Sequence, residues 1–243
     1  MDGIFRCSRY SFGPNRLHYC GPDANHEMKA YLKEGMSDGG LSLILKQFDT
    51  LSKYLRLIAR SNNITDPFDD KVVEAYWIGN EFLDSIEKNT LYRHLIDDHK
   101  LKNKISLKDF DTLVSKIGQG AVPHHSFHVL NVWRRTGHLD REHTLESMDE
   151  CRISWGKVYK VEGPLITVET EPLILKDTKL TLGKPITRKI TRHLETDTDI
   201  DLLKNGDIIT IHWGVPCEVI TPKQAAVLKK YTLQNIAFAN QTI

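Results

Sequence analysis

Four cysteines in 243 residues, none of them in a Cys-x-x-Cys pair, argue against a structural zinc site built from thiols alone. The longest apolar runs fall far short of the ~20 residues that cross a bilayer, so no membrane span is expected. Met1-Asp2-Gly3-Ile4-Phe5-Arg6 lacks the basic-then-apolar order of a signal peptide, which predicts a cytoplasmic protein with reduced thiols. Neither sign of charge is in excess, 33 Lys+Arg against 32 Asp+Glu. That balance argues against a nucleic-acid partner and against an acidic interaction tail. Also absent are a phosphate-cradling glycine loop, a G-x-S-x-G elbow, an H-E-x-x-H helix and a Glu-x-x-His motif, and there is no repeat or low-complexity tract. What is present is a hydrophobic fraction of 40%, enough for a real core.

The chain reads as α+β: an N-terminal helical domain, residues 1–145, then a small OB-like β-barrel with a C-terminal helix, residues 146–243. The first 35 residues read as turn-rich loop with short extended pieces and a short helix over 26–33, because Phe12-Gly13-Pro14-Asn15 and Cys20-Gly21-Pro22-Asp23 carry strong turn chemistry. Leu41, Ile44, Leu45, Phe48, Leu51, Leu55 and Ile58 recur at helical spacing and predict one amphipathic helix. Further helices are expected over 72–86 and 91–98, and after a Ser106 cap. Residues 123–133 read as a strand or extended loop, and 134–150 as a connection between domains. From Cys151 to Thr221, short strands at 152–161, 165–170, 173–175, 179–182, 186–193 and 208–213 are separated by Gly-Pro, Lys-Asp and Asn-Gly turns. Thr221-Pro222 starts the last helix.

Two stretches carry more chemistry than structure requires. The first is His124-His125-Ser126-Phe127-His128. On a strand His124 and His128 share one face and His125 takes the other. On a helix His124 and His128 pair at the four-residue spacing of metal ligands. A polar seam of hydrogen-bonded imidazoles is the competing reading. The second is the N-terminal segment, with Cys7, Arg9, Arg16, His18, Cys20, Asp23 and His26. Arg9 and Arg16, with Asp23 beside them, suit an anionic ligand, and Cys20 is a soft ligand that would complete a site with His124 and His128. The carboxylates Glu74, Glu81, Asp84 and Glu87 read as a solvated helix face.

Cys151-Arg152-Ile153-Ser154-Trp155-Gly156-Lys157-Val158, followed by Gly206-Asp207 through His212-Trp213-Gly214, resembles the HypC-type [NiFe]-hydrogenase maturation chaperones. Those begin with Cys-x-x-x-x-Gly-Lys-Val and later carry a Gly-Asp strand ending in His-x-Gly. The similarity covers about a third of the chain. Here the cysteine is internal, and Trp155 stands where the family has proline. The resemblance implies that Cys151 and His212 lie together on a small barrel and hold an iron–cyanide–carbonyl fragment. The implied partners are the hydrogenase large subunit or a maturation scaffold protein. Over nearly its whole length the chain also resembles an uncharacterised hydrogenase-associated family, through Phe12 to Asn15, Cys20 to Asp23 and Pro123 to Val129. The expected function is therefore an accessory factor for [NiFe]-hydrogenase assembly. The alternatives are a metalloenzyme with an interdomain Cys/His site and a metal-free protein-binding module.

Overall fold

The computed structural model describes residues 1–133, 144–192 and 202–242. Thus residues 134–143 of the expected connection, and His193 at the end of an expected strand, lie outside the described residues.

The chain opens with a helix, α1 (Gly3–Arg16), capped by Asp2, whose carboxylate accepts from Phe5 N at 2.8 Å. Sequence reading placed a loop here, and the reason for the difference is physical. From Arg6 to Asn15 every residue of α1 is buried, so the helix has no polar face and hence no amphipathic stripe to recognise. Gly13 and Pro14 serve contacts rather than a turn. Next come α2 (Asn25–Glu34), α3 (Gly39–Lys46) and α4 (Asp49–Ser61); the single helix expected from Leu41 is interrupted at Gln47-Phe48. Helix α5 (Asp70–Trp77) is followed by a 3-10 turn, Glu81–Leu83, so the helix expected over 72–86 is shorter. Glu74 is not a solvated residue: Arg6 Nη1 donates to it at 2.9 Å. Helices α6 (Lys88–Asp97) and α7 (Leu107–Gly118) follow, the latter capped by Ser106 as expected.

Of the segment 123–133, expected to extend, residues 125–133 are helical and only Pro123 and His124 before them are not. A short helix, α8 (His125–Phe127), runs into a π-helical turn, His128–Trp133. The His124 ring acts as the N-cap, accepting from Ser126 N at 3.1 Å, so an imidazole does what Ser or Asp usually does. Helix α9 (Leu145–Cys151) then leads into the sheet region.

Strands β1 (Ser154–Glu162), β2 (Leu165–Thr170), β5 (Ile186–Thr191), β6 (Ile208–His212) and β7 (Val215–Ile220) form one antiparallel sheet in the order β5-β2-β1-β6-β7. Strands β3 (Leu173–Lys176) and β4 (Lys179–Leu182) form a separate hairpin. Six of these follow the sequence reading closely; β7 was not anticipated. The last helix, α10 (Pro222–Ala239), starts with a full capping box between Thr221 and Gln224. No helix among the described residues is long and apolar enough to cross a membrane.

The largest apolar cluster ignores the expected boundary near residue 145. It joins Tyr10 and Phe12 of α1, Leu55 and Ile58 of α4 and Val72 of α5 to Val215 and Ile220 of β7 and Leu228 of α10. A buried polar network crosses the same seam. Tyr10 donates to Glu218 of β7 at 2.6 Å, and Arg6 Nε donates to Glu218 at 3.0 Å. Burial opposes the Arg6 charge, but the carboxylates of Glu218 and Asp70 outweigh it and hold the guanidinium above its ordinary pKa. Helices and sheet share one interior.

Candidate metal centre

The site begins with two residues of α1. An ordinary residue at position 14 would donate its N–H to the Tyr10 carbonyl four residues back; Pro14 has none. The carbonyl so released accepts instead from His212 Nδ1, at 2.6 Å. Gly13 allows the close approach, because a Cβ there would sit 2.5 Å from the His212 carbonyl oxygen. With its proton fixed on Nδ1, His212 presents Nε2 as a bare lone pair. That atom is buried and makes no well-formed hydrogen bond, although the Cys151 backbone lies near enough to hold the ring's pKa up somewhat against burial. An orphaned imidazole nitrogen whose tautomer is set by a backbone carbonyl is the arrangement of a metal ligand.

Cys151 and His125 lie against it. Ligating atoms of His125, Cys151 and His212 all fall within 4.8 Å of one another. His125 Nε2 is 3.9 Å from Cys151 Sγ, where a tetrahedral ion with bonds of ~2.1 and ~2.3 Å needs about 3.6 Å. His125 Nε2 donates to the Cys151 carbonyl at 2.8 Å, and Nδ1 accepts from the Tyr76 hydroxyl at 3.1 Å. Ligation through Nε2 requires the ring proton on Nδ1, where the Tyr76 oxygen is placed to accept it.

The electrostatics agree with a cation site. Burial holds the His212 ring down to about 4, and burial with the neighbouring His212 holds His125 well below the usual range, so both are neutral at pH 7. Burial raises the Cys151 thiol, and the nearby Cys20 raises it further. Acting the other way is the buried Trp213 indole N–H, which hydrogen-bonds toward the Cys151 sulfur. Among the described residues no cationic side chain supports a thiolate here. A divalent ion would supply that charge, and soft thiolate with imidazole suits zinc, iron, copper or nickel.

The three residues border a cavity of about 730 Å³. Its walls include Tyr76, Trp77 and Trp213, and two more histidines, His99 and His128. Trp213, at the β6–β7 turn with φ 50° and followed by Gly214 with φ 70°, stacks on Tyr19 at 4.0 Å between ring centroids. This left-handed pair is the turn that matches hairpin twist, and it carries the indole across the cavity.

The residues singled out from sequence divide accordingly. Cys151 and His212 come together as expected, and Cys20 and His128 line the same cavity. Cys20 is solvent-exposed on a loop that Asn15 holds by donating to the carbonyls of Cys20, at 2.9 Å, and Pro22, at 2.7 Å. His124 is not among the cavity residues: it bonds Ser126 Oγ at 2.7 Å and stacks on Tyr231. Arg9, Arg16 and Asp23 are likewise outside the lining, with Arg9 on a buried face of α1 and Asp23 exposed beside His18. His125, the third member of the cluster, was assigned to the wrong face by the strand reading. On a helix it lies three residues before His128, on the same side.

No curated protein and no solved structure matches this sequence. A family model described as a family of unknown function, DUF6390, matches residues 1–243, and the chain belongs to that family.

Proposed function

We propose that this protein holds one transition-metal ion on His125, Cys151 and His212, with the remaining coordination positions open to the cavity for a small ligand. The observation that carries this reading is the orphaned, buried His212 Nε2 beside the Cys151 thiol and the His125 ring. Three protein ligands and an open side are the pattern of a metal that works rather than one that only braces a fold.

Within this reading, the role we favour is that of a cytoplasmic accessory factor for [NiFe]-hydrogenase assembly. The metal is then iron carrying cyanide and carbonyl, as cargo, and the partner is the large subunit or a maturation scaffold protein. Support comes from the sequence likeness of the Cys151 and Gly206 to Gly214 segments, and from the pairing of Cys151 with His212. The β-region would be an OB-like barrel in this account. A second reading, a metalloenzyme acting on a small molecule, draws on His99 and His128, which face the cavity without belonging to the metal cluster.

Metal analysis and infrared spectroscopy on protein purified without oxygen, beside the Cys151→Ala and His212→Ala variants, test both. Metal that is bound by the parent and lost by both variants is expected. Cyanide and carbonyl bands identify the assembly factor; metal without them identifies the enzyme. If the parent takes up neither iron, zinc nor cobalt, the metal reading fails.

A further inference from the structure

A second array of imidazoles leads from the surface to this cavity. It starts at Asp98, whose side chain is 51% exposed, just beyond the end of α6. Asp98 Oδ2 lies 2.6 Å from Nδ1 of His94, a side chain only 1% exposed. His94 Nε2 lies 3.1 Å from His99 Nε2, and His99 is part of the cavity wall. Tyr54 fills the space beside this chain, its ring against His94, His99 and His128 at 5.0, 4.8 and 5.4 Å between centroids. The His99 and His128 rings face each other at 6.0 Å. His128 sits on the same helical turn as the ligand His125.

The carboxylate dictates the tautomers. An ionised Asp98 only accepts, so His94 carries its proton on Nδ1 and offers a lone pair at Nε2. His99 must then donate from Nε2, which leaves its own lone pair on Nδ1 as the nitrogen free to serve the cavity. A hydrophobic core gains nothing from two imidazoles in series, whereas a path that begins at an exposed carboxylate and ends at a cavity wall has the anatomy of a conductor. We propose that Asp98, His94 and His99 form a proton relay between solvent and the cavity, with His99 Nδ1 as its inner terminal. This rests on the metal reading for its purpose: the ligand taken up is a small weak acid that gives up a proton when it binds.

The step balances. A proton arriving at His99 Nδ1 releases the one on His99 Nε2 to His94 Nε2. His94 in turn passes its Nδ1 proton to Asp98 Oδ2, from which solvent removes it. Both rings end neutral, with their tautomers reversed, and the reverse passage resets them. Burial, His128, His94, Lys53 and Lys104 all disfavour a resident positive charge on His99, so the relay passes protons on rather than storing them.

Two measurements decide the matter. In metal-free protein labelled with nitrogen-15 at histidine, NMR should find His94 protonated on Nδ1 and His99 on Nε2. The opposite tautomers overturn the proposal whether or not a metal ever binds. In the cobalt-loaded protein, cyanide added as its neutral acid should release a proton that a pH indicator follows in stopped flow. His94→Gln keeps a donor and an acceptor in place but cannot relay, and should slow that release on the order of 100-fold at unchanged cyanide affinity. Imidazole buffer should restore the rate. An unchanged rate overturns the relay. If His94→Gln does not fold, Asp98→Asn at the exposed end replaces it, with the same slowing expected. Should cobalt not bind at all, the metal reading fails and the tautomers alone settle the relay.

Discussion

A thiol raised by burial loses its proton only when a metal takes its place, so Cys151 ties metal uptake to pH. Affinity should climb about tenfold per pH unit through neutrality, with one proton released per ion. Calorimetry in buffers of different ionisation heat checks this; a proton count of zero would remove Cys151 from the ligand set. Tyr76 should matter through His125, since its oxygen is the only described acceptor for the Nδ1 proton that ligation requires. Tyr76→Phe is expected to weaken metal binding by ~10–100-fold, read by competition with a chelator. At this scale the proximity of Cys151 and His212 was legible, because the resemblance implied it. His125 was not, because its partner is 26 residues away in sequence and its face depends on whether residues 123–133 coil or extend.

Helix α1 meets β6 through two adjacent residues with separable jobs. Gly13 permits contact, and Pro14 frees the acceptor for His212. Pro14→Ala should return a helical N–H that competes for the Tyr10 carbonyl. Proline in a helix interior costs ~3 kcal/mol, so the variant should melt no lower than the parent. His212, losing its anchor, should bind metal at least ~10-fold more weakly. Melting temperature and metal affinity moving in step would sink this account. Gly13→Ala lacks such a split: with 2.5 Å to a backbone oxygen, both stability and affinity should fall, the former by ~1–3 kcal/mol in urea titration. Sequence reading saw Gly13-Pro14 as a turn because glycine and proline near a chain start usually are one. The strands and α10 were legible for the opposite reason, since alternation, turn pairs and the Thr221 cap are local signals that tertiary contact did not override.

Over the whole molecule, burial of histidines sets the response to acid. His94, His99, His124, His125 and His212 are all held below the ordinary 6.5 by burial. A base with a lowered folded pKa binds its proton first in the unfolded chain. The stability it contributes is therefore complete above 6.5 and is lost as pH falls toward the folded value. His124, at about 4, and His212, also at about 4, should each cost the metal-free protein ~3 kcal/mol across that window. Against a typical total of ~5–15 kcal/mol, the metal-free chain should unfold between pH 6 and 4. Bound metal should move that transition to lower pH, and circular dichroism with and without zinc measures the difference. The shared core was not legible in the sequence, because no single segment reports that Tyr10 will meet Glu218 more than 200 residues later. The tight stack of Trp213 on Tyr19 has one more consequence. Two of the protein's four tryptophans, Trp77 and Trp213, form the walls of the chamber, so its natural ultraviolet emission is a built-in gauge of occupancy. A colour-bearing ion such as copper or cobalt should darken that light as it enters, with no dye or label needed.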